Sequence, residues 1–564
     1  MRRATAQAHE TDDVSMLRFI IAVACLIWYT AVWLVSAVGF SQLFRHYWRR
    51  PKPAEFLSAF KADEIPHVTI IRPVKGLEPR LYECLAASLL QAYPKSKLTV
   101  HYCVASRSDP ALSTIERVLR DFPDHDARLF IEEEDPMLKD NEHALGPNPK
   151  IRNMSRAYRE AKGDILWILD CNIWVGKGVL GRMVELLCGY GRNRKYKFVH
   201  QTPVTIDLDG QNSSVEERKA LLGGEQQLSG DIATSTSSDP RNHSRGRFRK
   251  LLQRGGGRLD EAFMSSSHAK FYMAINTVAI APCIIGKSTM FRRSQLNYIT
   301  SSNPDRNPGI DFFSDNICED HLVADALWYQ LQEFEKPGYQ PAGGESVDRW
   351  GKHGMLLGDF CFQPISHTSV AATIARRVRW LRVRKFTVTL ATFVEPGTES
   401  ILCNLYGAYA VTTLPFFRKL GIPPTWEAFF LFWLGAMLIW CFVDYIQYHL
   451  LHSAKTIELD ADTPDFVRPQ STMAIAPQSP SLKPLIDKKE EPTPSLLDGH
   501  RRTLRQWWFA WFARELSAFP IWFWAFWGGV TVEWRGKSFW VGLDMKVHEI
   551  TSKEQKGYAA SQAL

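Results

Sequence analysis

Phe19–Phe40 is a nearly continuous apolar run carrying Trp28, Tyr29 and Trp33. A helix that crosses a bilayer needs about 20 such residues, so this run is long enough. A cleaved signal sequence would have a shorter apolar core, about 7–15 residues, ending at small residues. Here the run passes straight into Arg45-His46-Tyr47-Trp48-Arg49-Arg50. It reads as an uncleaved anchor, with the basic cluster placing residue 45 onward in the cytosol. Arg2 and Arg3 on the other side are offset by Glu10, Asp12 and Asp13.

Three more apolar stretches follow in the last third: Ile401–Phe417, Trp426–Leu451 and Trp507–Val530. The first is short and suits a re-entrant or interfacial segment. The last is dense in Trp and Phe, which favour the headgroup level. Asp444 lies inside the middle stretch. An acid there is costly, so it is either functional or partly hydrated near the headgroups.

Between these segments, from Pro66 to about Val204, strand and helix patterns alternate. His67–Val74, Lys97–Ala105, Arg128–Glu132, Asp164–Cys171 and Tyr196–Gln201 read as short strands. Pro79–Gln91, Asp109–Phe122, Lys150–Ala161 and Gly178–Tyr190 have helical periodicity. That alternation predicts an α/β, doubly wound, mainly parallel sheet covered on both faces. Ligands of such sheets bind beyond the carboxyl ends of the strands. Asp109 follows one strand and Asp170 closes another, so both carboxylates are expected on one rim.

Two stretches break the pattern. Residues 209–258 are rich in Ser, Gly, Gln and charge, and 453–500 are rich in Pro, Ser and charge. Both are expected to be disordered. The basic tail of the first (Arg245, Arg247, Arg249, Lys250, Arg254, Arg258) can touch anionic lipid, though a solvated loop is the simpler reading. The 10 cysteines are scattered without CxxC or Cys/His spacing, which argues against disulfides or a zinc site. The net charge of +8 is modest for 564 residues, and no nucleic-acid partner is expected.

Four short signatures carry the chemistry, and each has a structural explanation beside the functional one. Asp109, in Ser108-Asp109-Pro110-Ala111, fits a helix N-cap before Pro, and fits equally a carboxylate that binds a base or ribose. Asp170-Cys171-Asn172 fits an Asx turn, or a pair holding Mg²⁺ or Mn²⁺ on a diphosphate, with Asn172 the weaker ligand. Glu319-Asp320 fits acids at a helix start, or a general base, Asp320, that deprotonates an acceptor hydroxyl. Arg376-Arg377-Val378-Arg379-Trp380 fits an interfacial helix, or a diphosphate clamp by Arg376 and Arg379 with Trp380 against the acceptor. Lys150 and His268 are further candidates for phosphate contact. Gly286-Lys287-Ser288-Thr289 lacks the earlier glycine of a P-loop, because Ala281 stands there, and ATP binding is rejected.

These pieces, in this order, resemble the ceramide glucosyltransferase family, and the long insertions suggest a fungal member. The resemblance runs through Arg72-Pro73-Val74-Lys75-Gly76, Ser108-Asp109-Pro110-Ala111, Asn148-Pro149-Lys150-Ile151, Ile168-Leu169-Asp170, Ser267-His268, Glu319-Asp320, Arg379-Trp380 and Asp444-Tyr445-Ile446-Gln447. It implies a GT-A catalytic domain facing the cytosol on the Golgi or ER membrane in a multi-pass chain. It implies transfer of glucose from UDP-glucose to the primary hydroxyl of ceramide with inversion. Asp109, Asp170, Lys150, His268, Arg376 and Arg379 would bind the donor, Asp320 would be the base, and Trp380 would meet the acceptor. Asp170 and Asn172 would hold a divalent cation, Mg²⁺ or Mn²⁺. Cys283 matches a family cysteine near the donor. Ser106 and Arg107 depart from acidic and His positions common before Asp109, so any role for those two positions is lost here. The expected division is residues 1–50 (tail and anchor), 51–395 (catalytic) and 396–564 (membrane helices).

A processive polysaccharide synthase shares the motif order but needs more spanning helices for a polymer channel. A polyprenyl-phosphate glycosyltransferase is a second enzymatic alternative. A non-catalytic sphingolipid-binding membrane protein would be expected to have lost the rim acids, and Asp109, Asp170 and Asp320 are all present.

Overall fold

The order in which the strands lie side by side fixes where a ligand can bind. In the computed structural model, seven strands form one sheet in the order β3-β2-β1-β4-β6-β5-β7. They are β1 (Val68–Pro73), β2 (Leu98–Val104), β3 (Asp126–Ile131), β4 (Ile165–Leu169), β5 (Phe198–Asp207), β6 (Ser288–Arg292) and β7 (Gly354–Ile365). The structure describes residues 2–191, 194–209, 249, 252–302, 305–339, 350–468 and 502–550, the side chains of 2–15 excepted.

Strands β1, β2, β4 and β5 are almost wholly buried, as the uniformly apolar runs of a parallel sheet require. The helices α1 (Arg2–Tyr47), α2 (Leu81–Ala86), α3 (Leu112–Asp121), α4 (Pro149–Arg159) and α5 (Val179–Cys188) precede or link these strands. The chain runs outward from β1 to β2 and β3, then returns to lay β4 beside β1. That reversal opens a crevice at the carboxyl ends of β1 and β4, the usual ligand position in such sheets. β6 is antiparallel to both β4 and β5. Its register pairs Leu169 with Ser288, which sets the residue before β6 opposite the residue after β4.

Further helices, apart from three of four or five residues, are α6 (Gly256–Ser265), α7 (Ser267–Val278), α8 (Arg293–Thr300), α9 (Glu319–Tyr329), α10 (Val370–Thr387), α11 (Thr389–Val394), α12 (Ser400–Thr413), α13 (Trp426–Leu451) and α14 (Leu504–Trp527). Among the described residues two helices are long and apolar enough to cross a membrane, Met16–Tyr47 and Trp426–Leu451. Helix α12 is too short to span, in line with the re-entrant or interfacial expectation. Helix α14 carries Arg505, Arg514 and Glu515, and it exposes Trp508, Phe512, Leu516, Phe519, Phe523 and Trp527 along one stripe. That stripe suits a helix lying along a membrane surface. The anchor is tied to the sheet at its far end: Tyr47 stacks on Phe360 at 4.2 Å and its hydroxyl bonds Thr202 Oγ1 at 2.9 Å.

Three expectations are corrected. Residues 453–468, inside the stretch expected to be disordered, pack on the sheet: Phe466 is fully buried and its ring meets Trp174 at 6.4 Å. Lys177 pairs with Asp460 and Asp462 there. The first insertion ends early, because Gly256–Ser265 is a buried helix; residues 210–248, 250 and 251 lie outside the described residues, as do 469–501. Lastly, the segment after residue 396 is not helical throughout. Strands β8 (Thr531–Trp534), β9 (Lys537–Val541) and β10 (Val547–Glu549) form an antiparallel sheet docked on the catalytic domain.

Asp444 is not hydrated near the headgroups, the second of its two sequence readings. It is fully buried, its Oδ1 lies 2.6 Å from Lys270 Nζ, and its Oδ2 accepts from Trp511 Nε1 at 2.9 Å. Lys270 also sits 4.0 Å over the Trp440 ring. A charge at this depth persists when paired, and the pair ties α7, α13 and α14 together.

Candidate active site

Helix α4 begins with an Asn148 N-cap, whose side chain accepts from the amides of Lys150 and Ile151. That cap fixes Lys150 in the first turn, beneath the ends of β1 and β4. Lys150 Nζ lies 3.0 Å from Asp170 Oδ1 and 3.2 Å from Glu319 Oε1. Asn148 Nδ2 donates to Glu319 Oε2 at 3.2 Å. The second oxygen of Asp170 is 3.3 Å from Lys287 Nζ. The β4–β6 register places Lys287 there, and the Asp170 amide donates to the Lys287 carbonyl at 3.0 Å.

The electrostatics follow from burial. Burial alone would raise the Asp170 carboxyl, but the ammonium groups of Lys150 and Lys287 outweigh it and hold Asp170 below the usual carboxylate range. Lys150 is pushed upward, against its burial, by Asp170, Glu319 and Asp320. Glu319 is pushed upward by burial and by the neighbouring charge of Asp320, with Lys150 opposing.

Asp320 occupies the first turn of α9 beside this network. Its side chain is half-buried and forms no hydrogen bond or ion pair among the described residues. Gly286 explains how it fits: a Cβ on Gly286 would lie 2.6 Å from Asp320 Oδ2. The structure thus brings Lys150, Asp170, Glu319 and Asp320 together. Asp320 is the carboxylate in this group whose hydrogen-bonding capacity remains available to a substrate hydroxyl.

Asp109 does a local job as well. Its carboxylate accepts from the amides of Gly76 and Ala111, each at 2.9 Å from Oδ1. This pins the loop after β1 to the end of β2; Asp109 stands in the turn before α3, whose N-cap is Ala111, and so is not the expected cap. Arg376 pairs with Asp260 Oδ2 at 2.7 Å, while Arg379, among the described residues, reaches only the Glu533 carbonyl, at 3.5 Å. Burial, then Arg376 and Arg535, push Arg379 down to about 10. Trp380 follows on α10, its ring 5.8 Å from the Arg377 guanidinium.

His268 stands apart from the Lys150–Asp170 pair. Its ring stacks on Tyr272 at 5.2 Å and meets Phe263 at 5.6 Å. Burial, then Arg377 and Arg384, lower its pKa to about 3, so at neutral pH it is an uncharged ring. Cys283 is pushed up to about 11 by burial and is a thiol, not a thiolate.

Asp170 and Asn172 fit a divalent cation only in part. Both oxygens of Asp170 already face ammonium groups, and no group of three His, Cys, Asp or Glu side chains among the described residues could hold a metal. The set suits a cation that takes most of its ligands from a diphosphate and water, as Mg²⁺ does.

Lys287 and Asp260 were not singled out from sequence. Lys287 belongs to the tetrapeptide that resembles a P-loop, and the Met290-Phe291 pair after it is the apolar signal of the strand it precedes.

The family model described as glycosyl transferase family 21 matches residues 19–234 and 341–466. The chain is 44% identical to a ceramide glucosyltransferase of Pyricularia oryzae, over 95% of this chain and 96% of the relative. It is 43% identical to one of Gibberella zeae over 95% of each chain, and 30% identical to one of Candida albicans over 96% and 99%. A solved mannosyltransferase of Pyrobaculum calidifontis in complex with GDP-Man and Mn²⁺ is 15% identical, with a TM-score of 0.36, covering 78% of this chain and 98% of that one. The chain belongs to glycosyl transferase family 21, and its seven-stranded sheet with helices is the α/β fold class expected from its sequence.

Proposed function

We propose that the chain transfers glucose from UDP-glucose to the primary hydroxyl of ceramide with inversion, on the cytosolic face of the Golgi or ER membrane. The observation that carries this reading is the carboxylate of Asp320, which forms no hydrogen bond or ion pair among the described residues. It sits beside a network in which Asp170 and Glu319 are both held by lysine. The names of the relatives support the substrates, and the two membrane-length helices support a lipid acceptor.

The donor lies at the ends of β1 and β4, with its diphosphate near Lys150, Lys287, Arg376 and Arg379. A divalent cation on Asp170 and Asn172, when bound, adds positive charge to the leaving diphosphate. Ceramide reaches the rim from the bilayer past Trp380. Asp320 takes the proton of the ceramide hydroxyl, and the oxygen forms its bond to the anomeric carbon on the face opposite UDP. The bond to the UDP oxygen breaks, and the fixed cations stabilise the departing charge. The same reading assigns residues 51–395 to catalysis and keeps 1–50 and most of 396–564 at the membrane.

The test is incubation of membranes holding the chain with labelled UDP-glucose and ceramide, followed by separation of lipid products. Label in glucosylceramide supports the reading. Label in a polymer, in a polyprenyl-linked sugar or in no lipid overturns it.

A further inference from the structure

A part of the chain that no motif marked reaches the loops after β1 and β4. Strands β8 and β9 pair Trp534 with Lys537, leaving Arg535-Gly536 as the tip of a two-residue hairpin. Both tip residues have positive φ, Arg535 at 51° and Gly536 at 81°. Such a turn favours Asn or Gly at its first position, so Arg there stands against local preference. A residue kept against its local preference points to a role for its side chain.

The hairpin is fixed over the crevice from two sides. Lys75, in the loop after β1, donates from Nζ to the Arg535 carbonyl. Helix α10 holds the other strand: Arg382 Nη1 donates to the Thr531 carbonyl at 2.6 Å, and Arg379 reaches the Glu533 carbonyl at 3.5 Å. The sheet also backs the start of α9, because Val547 N donates to the Asp315 carbonyl at 2.8 Å and Asn316 Nδ2 to the Met545 carbonyl at 2.9 Å. The Arg535 tip touches Lys75 and lies within electrostatic reach of Arg379 and of Cys171, the residue after Asp170.

Three cations gather there, with Asp109 and Glu132 within electrostatic reach. Lys75, Arg379 and Arg535 form no ion pair among the described residues. Burial and the Arg535 charge both lower Lys75, and burial, Arg376 and Arg535 lower Arg379. Gathering unpaired cations costs free energy unless a polyanion completes the site. The Arg535 guanidinium lies 5.7 Å from the centre of the Trp534 ring and makes no hydrogen bond or ion pair among the described residues, so its donors are available.

We propose that Arg535 is a donor-binding residue, whose guanidinium closes over the diphosphate of a nucleoside-diphosphate sugar from the side opposite Lys150 and Lys287. This rests on the donor reading given above. The C-terminal sheet is then part of the catalytic site, joined to it across the membrane-associated helices in sequence but not in space.

The test uses the full-length protein in detergent, with UDP and uridine as separate probes. Arg535→Asn keeps a residue that tolerates positive φ, so the hairpin is retained. Arg535→Lys keeps the charge without the fork. Lys546→Ala removes a cation from the far turn of the same sheet. The expected result for Arg535→Asn is a loss of UDP affinity of at least about fivefold, with uridine affinity within about twofold of wild type, as for loss of a charge-assisted phosphate contact. Arg535→Lys should fall between, and Lys546→Ala should match wild type. UDP binding by Arg535→Asn less than fivefold weaker, or equal losses of UDP and uridine, overturns the proposal. A wild-type protein that fails to bind UDP overturns the donor reading as well.

Discussion

Gly286 and Asp320 are in direct contact: the carboxylate lies where a side chain on Gly286 would begin, with Oδ2 2.6 Å from that position. Gly286→Ala is therefore expected to move Asp320 out of line while leaving the sheet intact. Turnover should fall at least tenfold, with the melting temperature changed by only a few degrees. Parallel measurement of kcat and thermal unfolding checks this. Full activity in Gly286→Ala would show that the position of Asp320 is not critical.

Lys287 holds one oxygen of Asp170 while Lys150 holds the other. Lys287→Met removes a cation from the donor side, so KM for UDP-glucose should rise about tenfold or more, with a smaller change in KM for ceramide. Losing one hydrogen bond to a charged group is worth roughly 1.5–3 kcal/mol, which sets that magnitude. Equal changes in the two constants would contradict a donor role.

The five strands from β1 to β5 and the helices between them were legible because their apolar runs and periodicity are local. Asp109 and Asp170 could be placed on one rim for the same reason. The charge network was not legible. Lys287 reaches Asp170 only because β6 enters the sheet antiparallel beside β4, a pairing set by contacts more than 100 residues apart in sequence. Asp260 and Arg376 meet across a similar separation. The sheet of residues 531–549 follows a tryptophan-rich helix and was read with it, although its alternating Thr531-Val532-Glu533-Trp534 is a strand pattern with a polar face. His268 shows the converse: a motif residue is present, but burial leaves it uncharged.

The pair Lys270–Asp444 predicts a specific pattern of stability. Asp444→Asn leaves a buried ammonium without its counter-ion, and a loss of about 3–5 kcal/mol is expected. The double change Lys270→Met with Asp444→Leu should recover most of that loss, since an apolar pair of similar volume is often neutral. Thermal unfolding in detergent of the single and double variants decides it. A double variant no better than Asp444→Asn would contradict the account.

His268 also has a pH signature. Its folded pKa, about 3, is below the ordinary histidine value, so the unfolded chain binds the proton more readily. The stability associated with the neutral ring is fully present above the unfolded pKa of about 6.5 and is lost as pH falls from there toward 3. His268→Phe should flatten the decline in melting temperature between pH 7 and pH 5 relative to wild type. An unchanged slope would show that His268 does not titrate in this way.

The central claim is that Asp320 is the base. Asp320→Asn keeps the size and the fit against Gly286 but cannot accept the proton. The measurement is glucosylceramide formation by the full-length variant beside its affinity for UDP. The account expects turnover to fall by at least about 100-fold, the lower end of a general base's contribution, with UDP affinity within about threefold of wild type. Turnover within tenfold of wild type would contradict it.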